Sequence, residues 1–242
     1  MTPPAADDSF SYSGSELEAM ASADNYYRWI LQRFSPHLGR HIIEVGSGVG
    51  TLADLVFRSA LPDTLVLVEP ASNLFPILRQ RFAQEARVSL VHGYADAIPS
   101  TVVADCIILV NVLEHVEDTP AFLSLLLSRL VPGGRLLILV PAGPALFGSL
   151  DRAFGHHRRY TRATLIASLQ SSGFSVPTME YFNLPGIVSW FIAGKILRKT
   201  TLSRRDVLFY DRWVVPWISA LEAHWIPPFG QSLIAVAEKP RA

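Results

Sequence analysis

Apolar residues run along this chain in two alternating rhythms. Short stretches at 41–45, 64–68, 88–92, 104–110 and 135–140 are rich in Val, Ile and Leu and poor in charge. That is the composition of strands buried on both faces of a parallel sheet. Between them, 51–59, 73–84, 119–130 and 161–171 read as helices. An earlier helix is expected from Ser15 onward, with apolar and aromatic residues recurring through Tyr26, Tyr27, Ile30, Leu31 and Phe34 until Pro36 ends it. This strand–helix alternation predicts a doubly wound, Rossmann-like α/β sheet with helices on both faces. The rhythm breaks after a strand at 176–182. A segment at 183–230, expected to be helical, intervenes before a last strand at 232–238. It holds four of the five tryptophans, Trp190, Trp213, Trp217 and Trp225.

Composition narrows the class. At 242 residues the chain can bury a large core, and with half its residues hydrophobic and 17% charged it falls with globular rather than disordered chains. The 21 basic residues balance the 21 acidic ones, so no global field draws the protein to nucleic acid. Cys106, the single cysteine, sits in the apolar run Cys106-Ile107-Ile108-Leu109-Val110. It reads as a core residue in a chain without disulfides, and a cytoplasmic location is expected. Residues 1–14 read as a flexible leader, with Pro3, Pro4, Asp7 and Asp8 in place of a signal peptide's basic and apolar regions. Residues 15–242 read as one domain, and no uncharged run reaches the about 20 residues of a membrane span.

The first strand runs into Glu44-Val45-Gly46-Ser47-Gly48-Val49-Gly50-Thr51. Glycines are needed where backbone takes positive φ or a ligand approaches main chain closely. A dinucleotide fingerprint, G-x-G-x-x-G, would place its third glycine at Thr51, whereas the spacing here is G-x-G-x-G. The second strand ends in Glu69-Pro70, and a carboxylate there can accept hydrogen bonds from both ribose hydroxyls of a nucleoside. Glu69 alone specifies an adenosine-containing ligand, and a nicotinamide enzyme would use the same acid.

These two segments, with Asn111-Val112-Leu113-Glu114-His115-Val116 and Leu130-Val131-Pro132-Gly133-Gly134, resemble the successive motifs of class I S-adenosylmethionine-dependent methyltransferases, in order and over roughly residues 40–140. The resemblance implies S-adenosylmethionine as cofactor and a seven-stranded, mostly parallel sheet whose last strand is antiparallel. It implies cofactor contacts from Glu44, Gly46, Ser47, Gly48, Gly50, Glu69 and Pro70, from Ala95 and Asp96 in the turn after the third strand, and from Asn111 after the fourth. The family often has Asp where this chain has Tyr94, which moves the expected acid to Asp96.

Methyl transfer from a sulfonium needs an aligned nucleophile and exclusion of water, and a base where the acceptor is a hydroxyl. Loops at strand carboxyl ends carry the site in open α/β sheets, so 141–161 is expected to wall the acceptor. His156, His157 and Tyr160 in that loop, with His115, are the catalytic candidates; the plainer alternative has Arg158 and Arg159 pairing with acids, Tyr160 packing and Thr161 capping a helix. No metal site is expected, because His156 and His157 are adjacent and no His-x-x-x-His pair or Cys cluster occurs. The insertion is apolar over 184–197, and Lys195, Arg198, Lys199, Arg204 and Arg205 then precede Asp206. It fits interior packing, a lid over a greasy acceptor, peripheral membrane contact through 184–205, or a subunit contact. The leading reading is methylation of a small-molecule or lipid-like acceptor, at O or C, in biosynthesis. The alternatives are a nicotinamide-dependent oxidoreductase and a non-catalytic cofactor-binding partner.

Overall fold

The computed structural model describes residues 10–11 and 19–241. The expected leader, apart from Phe10 and Ser11, and the expected helix start at Ser15 lie outside the described residues. Helix α1 (Asp24–Phe34) precedes strand β1 (His41–Val45), helix α2 (Thr51–Ala60) and β2 (Thr64–Glu69). Then come α3 (Phe75–Arg81), β3 (Val88–His92), β4 (Ala104–Val110), α4 (Thr119–Ser128) and β5 (Leu130–Pro141). The chain ends through α5 (Ser149–Ala153), α6 (Arg162–Ser171), β6 (Ser175–Phe182), α7 (Gly186–Phe191), α8 (Arg204–Trp213), α9 (Val215–Glu222) and β7 (Ser232–Glu238).

All seven strands form one sheet in the order β3-β2-β1-β4-β5-β7-β6. The first five are parallel, and β7 inserts antiparallel between β5 and β6. Alternate residues feed two cores, as a pleat of period two requires. Ile43, Ile107, Leu109 and Leu136 pack toward α4 and α6, while Ile42, Cys106, Ile108 and Leu137 pack toward Trp29, Ile30 and Phe34 of α1 and toward α2. Cys106 is fully buried, and burial pushes its thiol up to about 12.

Two boundaries differ from expectation. The helix expected at 73–84 contracts to α3, whose Pro76 fits only the first turn, where its missing N–H breaks no helical bond. Strand β5 starts at Leu130 rather than 135, because Leu130 pairs with Ala104 before a register shift that the Pro132-Gly133-Gly134 stretch accommodates.

The segment 183–230 is helical, as expected. Its two ends meet at Asn183, which adopts positive φ, donates through Nδ2 to Gln231 Oε1 at 2.9 Å and accepts from Gln231 N at 3.1 Å. The segment is also tied to the start of the chain. Asp211 of α8 accepts from Tyr26 N at 2.8 Å and Asn25 N at 3.2 Å, capping α1 at its electropositive end.

Candidate functional site

A cavity of about 1250 Å³ opens at the carboxyl ends of the parallel strands, where a doubly wound sheet places its ligands. On one side the β1–α2 loop forms its floor. Gly46 takes φ +76°, and a Cβ there would stand 2.6 Å from Val112. Gly48 takes φ +54° with open space where a side chain would be, so backbone is presented directly to the cavity. Gly46 N and Ser47 N donate to Val68 O, holding the loop against β2. Gly50 (φ +80°) begins α2, and a Cβ there would strike Leu78 and Phe82; this glycine serves the turn and its packing rather than the cavity wall.

Glu69 stands at the end of β2, 5% exposed and facing the cavity. Its Oε2 accepts from Gly48 N at 2.7 Å and its Oε1 from Ala71 N at 2.8 Å, so each oxygen keeps a second lone pair. Burial raises its pKa, and the two backbone donors oppose that rise. Glu44 is 4% exposed, and its Oε2 has no hydrogen-bond partner. Burial, then the charge of Glu69, pushes Glu44 up to about 8. A buried acid with an unsatisfied oxygen is the complement of an ammonium group. Pro70, Ala95 and Asp96 line the same end, Asp96 at an exposed position. Asn111 also lines it, in a positive-φ conformation (φ +53°) that asparagine tolerates better than most residues.

The opposite side is built by the loop after β5 around Asp151, which is fully buried. Its Oδ1 accepts from Arg159 Nε at 2.6 Å and from His156 Nδ1 at 3.1 Å, and its Oδ2 from Gly148 N at 2.8 Å and Trp190 Nε1 at 3.1 Å. Burial alone would raise this acid; the His156 bond, Arg159 and the Gly148 N–H outweigh it and hold it at about 2. His156 therefore has a fixed ring. Its Nε2 lies 3.9 Å from Glu114 Oε1, and its ring meets His115 edge-on at 4.8 Å between centroids. Burial, then His156, lowers His115 to about 4, so its imidazole is neutral at pH 7. Glu114 is fully buried, which pushes it up to about 8 against the pull of Arg159.

The expected acceptor loop thus divides. His156 and His115 line the cavity, with Arg159 beside them. His157 turns outward instead, its side chain 41% exposed and its Nε2 4.0 Å from Glu117 Oε1. Tyr160 packs in the core, its hydroxyl donating to Leu113 O at 3.2 Å, and Thr161 caps α6 by accepting from Thr164 N. Sequence spacing argued against any metal site, yet the β4 and β5 loops bring one ligand atom each from Glu114, His115 and His156 within 4.8 Å of one another. Asp151 and Trp190 had no readable signal beyond the five-residue offset from Asp151 to His156.

The helical segment roofs the cavity. Trp190, Val207, Tyr210 and Val214 face inward, with Tyr26 and Tyr27 of α1 beside them. Trp190 lies under the Arg159 guanidinium at 4.9 Å and binds Asp151, coupling roof to loop. After α7 the helix loosens into a π-helical stretch (Ile192–Ile196), where Gly194 O accepts from Ser149 Oγ at 3.0 Å. Apolar groups are also exposed outside the cavity: Trp213 is 60% and Trp217 79% exposed.

A family model described as a methyltransferase domain matches residues 20–178. The mitochondrial ubiquinone biosynthesis O-methyltransferase of Schizosaccharomyces pombe is 27% identical over 108 residues, which is 41% of this chain and 37% of that protein. A methyltransferase of Haloferax volcanii, solved in complex with the methyltransferase activator Trm112, superposes with a TM-score of 0.67 at 14% identity, covering 94% of each chain. Phosphoethanolamine N-methyltransferase 2 of Haemonchus contortus, solved with phosphomonomethylethanolamine and S-adenosylhomocysteine, superposes with a TM-score of 0.64 at 17% identity. That match covers 95% of this chain and 58% of the nematode protein. At these identities the structural likeness is one of fold.

Proposed function

This chain belongs to the methyltransferase-domain family and is an S-adenosylmethionine-dependent methyltransferase; from that premise we propose that it methylates a hydroxyl group on a small lipid-like molecule, reached from a membrane surface. The observation that carries this reading is a cavity whose roof presents Trp190, Val207, Tyr210 and Val214 and whose far wall ends in a His115–His156–Glu114 cluster. The resemblance to an O-methyltransferase of ubiquinone biosynthesis supports the same acceptor class.

The cofactor supplies a methyl group already activated on a sulfonium. The chain's own residues do the rest. Glu69 would hold the ribose hydroxyls on its two free lone pairs, Glu44 would hold the ammonium group, and the Gly46–Gly48 backbone would let the ligand lie close. Pro70, Ala95 and Asp96 would hold the adenine, and Asn111 the methionine portion. Across the cavity His156, aligned by Asp151, and neutral His115 receive the hydroxyl and its proton. Trp190, Val207 and Tyr210 exclude water, which strengthens each of these interactions.

The outer surface supports the route of access. Of the three acids in 183–230, Asp211 and Glu222 are buried and Asp206 pairs with Lys199 at 2.9 Å. Lys195, Arg198, Arg204, Arg205 and Arg212 are exposed, and the Arg212 guanidinium lies 5.7 Å from the Trp213 ring. Aromatic groups with adjacent basic residues suit an anionic headgroup layer. Among the described residues no helix is long and apolar enough to cross a membrane, so this contact is peripheral.

Labelled cofactor and a panel of phenols with and without isoprenoid tails test the acceptor. Label should enter a methyl ether on the tailed compounds at rates at least about tenfold above the tailless ones, since a few buried methylenes contribute about 0.8 kcal/mol each. Label in amines only would overturn the reading. In parallel, the protein should co-sediment with phosphatidylglycerol vesicles at low salt and detach as the Debye length shortens to about 3 Å near 1 M salt. No sedimentation at low salt would remove the membrane from the proposal.

A further inference from the structure

Glu114 is fully buried, and neither of its carboxylate oxygens has a hydrogen-bond partner. Among the described residues no Lys or Arg nitrogen lies within 4.0 Å of it; Arg159, whose charge draws on Glu114 from farther off, spends Nε on Asp151 and Nη1 on Ala142 O and leaves its buried Nη2 without a hydrogen-bond partner. A carboxylate sealed from water needs a positive partner or a hydrogen-bond donor. The group within 4.0 Å of it is the His156 ring. A carboxylate only accepts, so the 3.1 Å contact with Asp151 puts a proton on His156 Nδ1, and the neutral ring would offer its lone pair at Nε2. That lone pair lies 3.9 Å from Glu114 Oε1, and a His115 ring nitrogen completes a group whose donor atoms fall within 4.8 Å.

We propose that Glu114, His115 and His156 form a three-ligand site for a zinc-like first-row divalent cation on the acceptor wall of the cavity. Three groups that can each offer an electron pair converge there, and among the described residues no Lys or Arg nitrogen comes within 4.0 Å of Glu114. Two imidazoles and one carboxylate are a borderline donor set, suited to Zn²⁺ or Co²⁺ and poorly suited to Mg²⁺, which takes oxygen. Bonds of about 2.0–2.1 Å at tetrahedral angles hold donors roughly 3.3 Å apart, so the site contracts by about 1 Å on loading. Asp151 already has the place of the outer-sphere carboxylate that orients a metal-bound histidine, and it is itself fixed by Arg159, Gly148 N and Trp190. Because His115 and His156 line the cavity, the fourth position opens toward the acceptor. With the imidazole lone pairs on the cation, a hydroxyl placed there is made acidic by the cation and gives its proton to solvent, in place of direct transfer to His115 and His156. That last consequence rests on the hydroxyl reading above; the binding of the cation does not.

The test uses the full chain without an affinity tag, stripped with chelator and dialysed. Calorimetry with Zn²⁺ should saturate at one equivalent with protein at roughly 10 µM, and Co²⁺ should give visible d–d bands of a site containing nitrogen donors. Mg²⁺ should bind at least about a hundredfold more weakly. Glu114→Gln and His115→Ala should each weaken Zn²⁺ at least about tenfold, whereas the outward His157→Ala should not. S-adenosylhomocysteine binding by each variant shows whether it is folded, and His115→Ala carries the test alone if Glu114→Gln is not. No saturable Zn²⁺ binding, or binding that both variants leave unchanged, overturns the site. One equivalent bound with methylation of amines only would keep the site and defeat the hydroxyl reading.

Discussion

Replacing His156 with alanine lowers the single-turnover rate of methyl transfer by at least about a hundredfold, at the lower end of what a positioned acid–base group contributes. S-adenosylhomocysteine affinity changes by less than about threefold, because the β1 and β2 loops that face the cofactor end lie on the opposite wall. The size of the loss follows from how the ring is held. Its Nδ1 is committed to Asp151, whose own position is fixed by Arg159, Gly148 and Trp190, so the Nε2 lone pair is aimed before substrate arrives. Preorganisation of this kind is lost entirely with the ring. Asp151 keeps its other three donors, so the fold survives. The matched control is His157→Ala, which removes an outward side chain and leaves its backbone bond to Glu114 O intact; its rate should stay within about threefold of wild type. Equal losses in the two variants would assign the loop to structure, and equal activity would do the same.

That contrast between neighbours marks the limit of what could be read along the chain. The sheet was legible because strands buried on both faces leave a local trace, the apolar runs of β1, β2 and β4, and because glycines at positive φ leave another. Gly46, Gly48 and Glu69 were legible for the same reason: they lie within one β–α–β unit, and the structure brings them to one end of the cavity. The acceptor side is assembled from segments distant in sequence. Glu114 follows β4 and His156 follows β5, and only the adjacency of those strands brings them to 3.9 Å. Nothing in the Phe-Gly-His-His-Arg-Arg-Tyr run says which histidine turns inward. That choice is made by Asp151, which takes both His156 N and His156 Nδ1. Gly50 illustrates a related ambiguity, since a glycine required by packing against Leu78 and Phe82 looks in sequence like one required by a ligand.

Glu69→Ala should lower S-adenosylhomocysteine affinity by about 10- to 100-fold, from the loss of roughly 1.5–3 kcal/mol of hydrogen bonding to a charged group. The structure adds a second source for the loss. Glu69 also accepts from Gly48 N, so alanine frees the very loop on which the ligand lies. Glu69→Gln keeps one carbonyl oxygen and should lose less than alanine. Calorimetry on the wild type and both variants gives the ordering, with NAD as the ligand expected not to bind. An unchanged dissociation constant in Glu69→Ala would reduce Glu69 to a loop-bracing acid, and tight NAD binding would contradict the cofactor assignment.

The clasp at Asn183 has a consequence for how such an enzyme can change over evolutionary time. Strands β6 and β7 are antiparallel neighbours, and Phe182 pairs with Ser232 immediately beside the Asn183–Gln231 bonds. In topological terms the two strands are a hairpin whose turn happens to be roughly fifty residues long, and each doubling of such a turn costs only about 0.6 kcal/mol in closure entropy. The register of the sheet is set by the strand pairs and the clasp, whatever lies between them. The roof and the Gly46–Glu69 end of the cavity are therefore carried by separable stretches of chain. The roof can be lengthened, shortened or exchanged for another while Glu44, Glu69 and Asp151 keep their places, provided the newcomer supplies a donor where Trp190 Nε1 now meets Asp151.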